Sequence, residues 1–328
     1  MTAVTLTRSH LEELLARTAG RAPRIAIVGD AMLDVYLQGD VERISPEAPV
    51  PVVRVQTRLH ALGGAANVAQ NVVALGGRAE LVATVGDDTA GTRLRAMLEA
   101  IGASGRGLVT TSRPTTTKTR VVARGQQVVR IDEEIDHDAQ GDDARAIEVA
   151  VRRAVDEADA LVLEDYDKGV LVESVIRTAI TQARQRGMPI IVDPKYRHFF
   201  AFGGATVFKP NRRELEAALG AAVDLDHPEA LPDILRRLDV DRLLLTLGER
   251  GMALIEPDGR THRIPTTARE VFDVVGAGDT VTAYLAAMLA VGGTPLDAAI
   301  IANHAAGVQV GKSGAAAVSP AEVLSAAS

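Results

Sequence analysis

The stretch "ADALVLEDYDKGVLVESVIRTAITQARQRGMPIIVDP", residues 158–194, holds the alternation on which the fold turns. "ADALVLEDY" contains a continuous apolar run of strand length. "VESVIRTAITQARQRG" repeats its apolar positions at helical spacing and stops at Gly187. "PIIVDP" is a second apolar run of strand length. Strand, helix and strand in succession predict a crossover unit of a parallel sheet.

The same rhythm runs outward. Upstream, "RIAIVGD" (Arg24–Asp30) reads as a strand, "ANVAQNVVALGG" as a helix with a glycine stop, "AELVATVG" as a strand and "AGTRLRAMLEAIG" as a helix. Downstream come the strand "ATVFKP", the helix "RRELEAALG" and the strand "DRLLLTLG", and two consecutive helices, from Gly276 and Pro295, close the chain. The fold class is therefore α/β, a three-layer and mostly parallel sheet, with ligand sites expected at the carboxyl ends of the strands. At the N-terminus, Ser9 and Glu12 form a capping box for an amphipathic helix, whose charges exclude a signal peptide.

Two segments break the rhythm. "VPVVRVQTR" (50–58) and "TTTKTRVVARGQQVVRIDEE" (115–134) are β-rich with no helix between strands, and the second is a hairpin turning at Arg124–Gln127. They predict one small sheet, from about 44–58 and 115–134, inserted into a single domain spanning 1–328. Lys118, Arg120 and Arg130 share one side at period-2 spacing. The segment is either an ordinary edge hairpin or a lid with basic residues turned inward. Val50, Val52, Val53 and Val121 would be exposed on it in a monomer, so a homodimer through this sheet is expected.

Composition narrows the function. With 36 basic against 43 acidic residues the chain carries no nucleic-acid footprint. The absence of cysteine excludes disulfides and thiolate chemistry and suits a reducing cytoplasm. The seven histidines lack zinc-site spacing, and no apolar run is long enough to span a membrane.

"FDVVGAGDTVTAYLAAMLA" (272–290) sets a carboxylate, Asp279, after a Gly-Ala-Gly turn at the head of an apolar helix. Asp is at home at a helix start. Equally, Gly276, Ala277 and Gly278 could offer backbone amides to an anion, with Asp279 beside it to take a proton. "GGAANV" places Gly63 and Gly64 ahead of a helix with Asn67 on its first turn, either as a tight strand–helix turn or as a ligand contact. "KPNRRE" sets Asn211 and Glu214 three apart, a cap pairing and also a handhold for magnesium and phosphate. "TLGERGM" (Thr246, Gly248, Gly251) is a hairpin turn or a nucleotide-lining loop. "AGVQVGKSG" (306–314) imitates a phosphate-binding P-loop, but Ala306 occupies the first glycine position and the segment ends a helix instead of opening one. "GDAMLD" after the first strand lacks the glycines of a Rossmann turn, which excludes a dehydrogenase.

Taken in order along the chain, these motifs resemble the ribokinase-like, or PfkB, family of sugar kinases, over essentially its whole length. The resemblance implies that Asp279 is the catalytic base and that the amides of Gly276, Ala277 and Gly278 form the anion hole. It implies that Asn211 and Glu214 serve the ATP phosphates and Mg2+, and that Thr246, Gly248, Gly251 and Asn303 line the nucleotide. Val275 stands where many members carry threonine. Within the family, Gly29–Tyr36 and Arg43–Val53 resemble the bacterial kinases of D-glycero-β-D-manno-heptose 7-phosphate, in their stand-alone form. That closer likeness implies Asp34, Gly63, Gly64 and Asn67 as contacts to the sugar. For its distal phosphate, the candidates are Lys118, Arg120, Arg130 and Lys168.

Overall fold

The computed structural model describes residues 6–268 and 271–327. In chain order the elements are α1 (Arg8–Arg21), β1 (Arg24–Gly29), β2 (Ala31–Ile44), β3 (Pro51–Gly64), α2 (Ala65–Ala74), β4 (Arg78–Gly86), α3 (Thr89–Ala100) and β5 (Ser104–Thr111). Then follow β6 (Thr117–Ala123), β7 (Gln126–Glu133), α4 (Gly141–Asp156), β8 (Ala160–Glu164), α5 (Glu173–Gln185), β9 (Ile190–Asp193), β10 (Val207–Phe208) and α6 (Arg212–Leu219). The last third holds α7 (Leu231–Leu238), β11 (Leu243–Thr246), β12 (Met252–Ile255), β13 (Thr261–Ile264), α8 (Ala277–Ala290), α9 (Pro295–Gln309) and α10 (Pro320–Ala326).

The crossover unit forms as its pattern predicts. Every residue of β8 and β9 is buried, as in strands covered on both faces. Between them α5 buries Val175, Ile176, Ala179, Ile180 and Ala183, a single stripe at helical period. These strands belong to a nine-stranded sheet in the order β13-β12-β11-β10-β9-β8-β1-β4-β5. Pairing is parallel from β11 through to β5, and antiparallel only where β12 and β13 join. One apolar core fills the face under α1, α2, α3, α8, α9 and α10, and a second fills the face under α4, α5, α6 and α7, which gives the three layers.

The second sheet has the order β3-β2-β6-β7 and is larger than the sequence suggests. It begins at Ala31, directly after the first strand, so Asp34 lies within β2 and not in a loop. Arg124 and Gly125, at φ +52° and +78°, make the tight turn between β6 and β7, the doubly left-handed geometry that matches strand twist. Val121 is buried at 8% exposure, and Val52 and Val53 are half-buried, so only Val50 of the four expected exposed valines is open. The apolar residues exposed on this sheet and its turn are instead Ile44, Val50, Val55, Leu59, Val128, Val129 and Ile131.

Two helix ends also differ from expectation. Thr7, not Ser9, caps α1 by accepting from the His10 amide, and Glu12 pairs with Arg8. After α9 a further short helix, α10, is started by a Ser319–Glu322 capping box. The P-loop imitation is the C-terminal end of α9, where Lys312 donates to the Ala317 carbonyl and pairs with Glu322. Among the described residues, no helix is long and apolar enough to cross a membrane.

Candidate active site

The carboxyl ends of β1, β8, β9, β10 and β11 form one rim, and the N-terminus of α8 reaches the same rim. At its head Gly276 sits at φ +83°, a left-handed conformation suited to glycine. A Cβ there would come within 2.7 Å of Asn67 Nδ2. The turn is tied down from outside. Asp273 accepts from the amides of Val275 and Gly314, and Gln309 Nε2 donates to the Val275 carbonyl at 2.5 Å. Val275 is thus fixed through its main chain, which explains why the turn keeps its shape without a threonine there. The opening amides of a helix have no partner within it, and here the Ala277 amide donates to the Val274 carbonyl at 3.3 Å, ahead of the helix.

Asp279 is buried at 3% exposure. Its Oδ2 accepts from Asn67 Nδ2 at 2.7 Å, and its Oδ1 accepts from the Tyr166 hydroxyl at 2.7 Å. Burial pushes its carboxyl above the ordinary aspartate range, while the Tyr166 and Asn67 hydrogen bonds favour the charged form and limit the rise. Each oxygen keeps a further lone pair. The carboxylate is held by these two donors and does not cap the helix, since α8 has no side-chain cap.

Asp34, Gly63, Gly64, Asn67 and Asp279 are brought together. A Cβ on Gly63 would fall 2.6 Å from Asp34 Oδ2, and one on Gly64, at φ +56°, would meet the Tyr166 ring at 3.4 Å. The two glycines are both a strand–helix junction and the clearance under these side chains. Asp34 is ion-paired with Arg120, whose guanidinium lies over the Tyr36 ring.

The four cations assigned to a distal phosphate form a network, but they are not free. Lys118 pairs with Glu134 at 2.9 Å and Asp132 at 3.3 Å, Lys168 with Glu134 at 2.7 Å, and Arg130 with Asp132 at 2.9 Å. Arg120 and Arg130 are directly opposite in the ladder, yet the Arg130 side chain is 53% exposed while that of Arg120 is 13% exposed. Three carboxylates, Asp34, Asp132 and Glu134, therefore balance most of this positive charge.

On the nucleotide side, Asn211 and Glu214 form a complete capping box for α6, and Asn211 bridges Thr246. Glu214 also takes Lys195 Nζ at 2.5 Å. Gly248 and Gly251, both at positive φ, turn β11 into antiparallel β12, so "TLGERGM" is a hairpin turn. Asn303 is buried and donates to the Pro265 carbonyl at 2.8 Å, beside the Gly251 turn.

The residues that join the two sides are absent from the sequence reading. Tyr166 holds the base, and Lys195 lies over the Tyr166 ring while pairing with Glu214. Lys209 is buried against Asp193. The available signal was position: each follows the carboxyl end of β8, β9 or β10.

A buried carboxylate at the head of an apolar helix, a glycine turn before it and a strand-end rim with paired lysines suit a phosphoryl-transfer enzyme. The chain belongs to the pfkB family of carbohydrate kinases, whose pattern it matches over residues 22–322. It is 46% identical over 303 residues to the "Bifunctional protein HldE" of Gluconacetobacter diazotrophicus, covering 92% of this chain and 63% of that one. The protein of the same name from Rhodospirillum rubrum is 45% identical over 326 residues, covering 96% and 64%. The chain thus spans less than two thirds of the length of these relatives. In fold it is similar to Arabidopsis thaliana ribokinase complexed with ribose and ATP (TM-score 0.73, 21% identity, 93% and 99% covered). It is likewise similar to Escherichia coli phosphofructokinase-2 in complex with fructose-6-phosphate (TM-score 0.73, 18% identity, 93% and 98% covered).

Proposed function

We propose that the chain phosphorylates O1 of D-glycero-β-D-manno-heptose 7-phosphate with ATP, giving the 1,7-bisphosphate on the way to the ADP-heptose of the lipopolysaccharide core. The observation that carries the reading is the segment Gly29–Val53. Its heptose-kinase-like sequence builds β2 and enters β3, and it carries Asp34, which pairs with Arg120 of β6 and lies against Gly63. A kinase of another sugar or sugar phosphate within the family is the second reading, favoured by the carboxylates that already pair the distal cations. Such a reaction belongs in the cytoplasm, where ATP is available.

In the reaction O1 attacks the γ-phosphorus, the bond from that phosphorus to the β-phosphate oxygen breaks, and its electron pair leaves on ADP. The O1 proton passes to Asp279. Because the transition state is loose, the protein's main tasks are positioning and charge stabilisation. The amides of Gly276, Ala277 and Gly278 would face the transferred phosphoryl oxygens, and Asp34, Gly63, Gly64 and Asn67 would orient the sugar. Thr246, Gly248, Gly251 and Asn303 would line the nucleotide. Incubating the purified chain with ATP and the heptose 7-phosphate should yield the 1,7-bisphosphate, identified by phosphorus NMR. Phosphorylation elsewhere, or none, contradicts the reading.

The site fits Mg2+ through water. Both Glu214 oxygens already accept, one from Lys195 and one from the Asn211 amide, but each retains a lone pair for a metal-bound water. Among the described residues no three acidic or histidine ligands converge into a metal cage, and Mg2+ commonly relies on one or two carboxylates plus substrate phosphates and waters. The metal would supply charge neutralisation at the ATP phosphates. Glu214→Gln should raise the Mg2+ concentration needed for half-maximal activity. An unchanged titration would leave Glu214 as a capping residue only.

The small sheet is the proposed dimer contact. Its edge strands β3 and β7 carry Val55 and Leu59, and Val128, Val129 and Ile131, all exposed. A second copy would cover both edge and patch. Sedimentation at micromolar concentration should give a dimer, and a monomer alone would rule this contact out.

A further inference from the structure

We propose that Lys209 is the buried cation that meets the phosphoryl group in transfer, and that Asp193, with Glu164 behind it, holds it in position. The inference rests on phosphoryl transfer at the Gly276–Gly278 turn, but not on which sugar accepts the group.

Lys209 follows β10, and its amide donates to the Val192 carbonyl at 2.8 Å, which fixes its main chain beside β9. Its side chain is 3% exposed, and Nζ donates to Asp193 Oδ2 at 2.6 Å. An ammonium has three protons to donate, and Asp193 is its one hydrogen-bond acceptor among the described residues. A Cβ placed on Gly278 would lie 3.6 Å from Lys209 Nζ and 3.6 Å from Asp193 Oδ2. The charge therefore rests against the bare Cα of the turn, one residue before the base. The ammonium thus lies beside the glycine turn at the head of α8, where an anion would sit.

Glu164 explains how this charge is kept available. It ends β8, is wholly buried, and is the ladder neighbour of Asp193. Neither of its oxygens has a fixed hydrogen-bond partner. Burial first, then the Asp193 and Asp279 charges, push its carboxyl well above the usual range, the direction that favours its neutral form. Among the described residues Lys209 hydrogen-bonds to Asp193 and not to Glu164. Burial works to lower its ammonium, but the Asp193 carboxylate at 2.6 Å outweighs that, and the net direction is upward. A merely structural Lys209 would be a counter-ion for Asp193 and nothing more.

The test separates these roles. Lys209→Met alone leaves Asp193 buried without its partner and is expected to fold poorly. The Lys209→Met/Asp193→Asn double variant removes both charges together, a change that cores usually tolerate. It should lower the ratio of ATP to ADP affinity, measured by calorimetry, by at least about tenfold, because only ATP carries the γ-phosphoryl group. It should lower kcat by roughly 10²–10³ with KM for the sugar nearly unchanged. In the unmutated protein labelled with 15N-lysine, the Lys209 ammonium signal should move on adding a non-hydrolysable ATP analogue and stay in place with ADP. An unchanged affinity ratio, or a signal that ignores the analogue, overturns the proposal. Both binding readouts hold whichever sugar is the acceptor, so a failed heptose assay would count against the proposed substrate alone.

Discussion

Asp279→Asn should lower kcat by roughly 10²–10⁴, the range for loss of a positioned base, with ATP affinity nearly intact. The expectation follows from what the carboxylate touches. One oxygen faces the Asn67 amide and the other the Tyr166 hydroxyl, both donors. An asparagine can turn its oxygen to the Asn67 NH2 group and its own NH2 group to the Tyr166 hydroxyl, which must then accept instead of donate. Replacing charge-assisted hydrogen bonds by neutral ones should cost about 1–3 kcal/mol of stability, offset in part by removal of a buried charge. Melting should therefore shift by a few degrees at most while turnover collapses. In the wild type the base must be ionised, and burial has moved its carboxyl up. Activity should thus fall with decreasing pH at a higher pH than for an exposed aspartate. Turnover near wild type in the variant would remove Asp279 from the catalytic role.

How far the sequence reveals this molecule depends on how local each signal is. The 158–194 crossover was legible because all of β8 and β9 is buried and α5 keeps one unbroken stripe. β2 was harder to read. Asp34, Asp40, Glu42 and Arg43 interrupt its apolar pattern, since its far half leaves the core, and beyond Gly39 it pairs with β3 and no longer with β6. α10 is a seven-residue helix whose only strong signal is its Ser319–Glu322 cap. In the site, Asp279, Asn67 and the two glycine pairs were legible because each motif demands a backbone conformation or a cap. Tyr166, Lys195 and Lys209 were not, because their meaning arises only where separate strands end at the same rim. The basic residues near the sugar were visible at period-2 spacing. Their pairing with Asp34, Asp132 and Glu134 depends on ladder register, such as Lys118 opposite Asp132, which composition does not give.

That pairing bears on the central claim. A kinase for an unphosphorylated sugar has little use for Lys118, Arg120, Arg130 and Lys168 near its acceptor. In the network they form, Asp132 and Glu134 each serve two of these cations. A phosphate dianion arriving there would compete with Asp132 and Glu134 for the cations they share. Arg120, Lys118 and Lys168 are the better placed three, at 13%, 14% and 17% side-chain exposure, whereas Arg130 remains mostly in solvent. A charge-assisted hydrogen bond contributes roughly 1.5–3 kcal/mol, so each lost contact should cost at least about tenfold in kcat/KM. The most direct measurement is kcat/KM with ATP for D-glycero-β-D-manno-heptose 7-phosphate against the same heptose without its phosphate. The account predicts that the phosphorylated sugar is favoured by about 10²-fold or more, and that Lys118→Ala or Lys168→Ala erodes the preference by slowing only that substrate. Equal kcat/KM for the two sugars would contradict it.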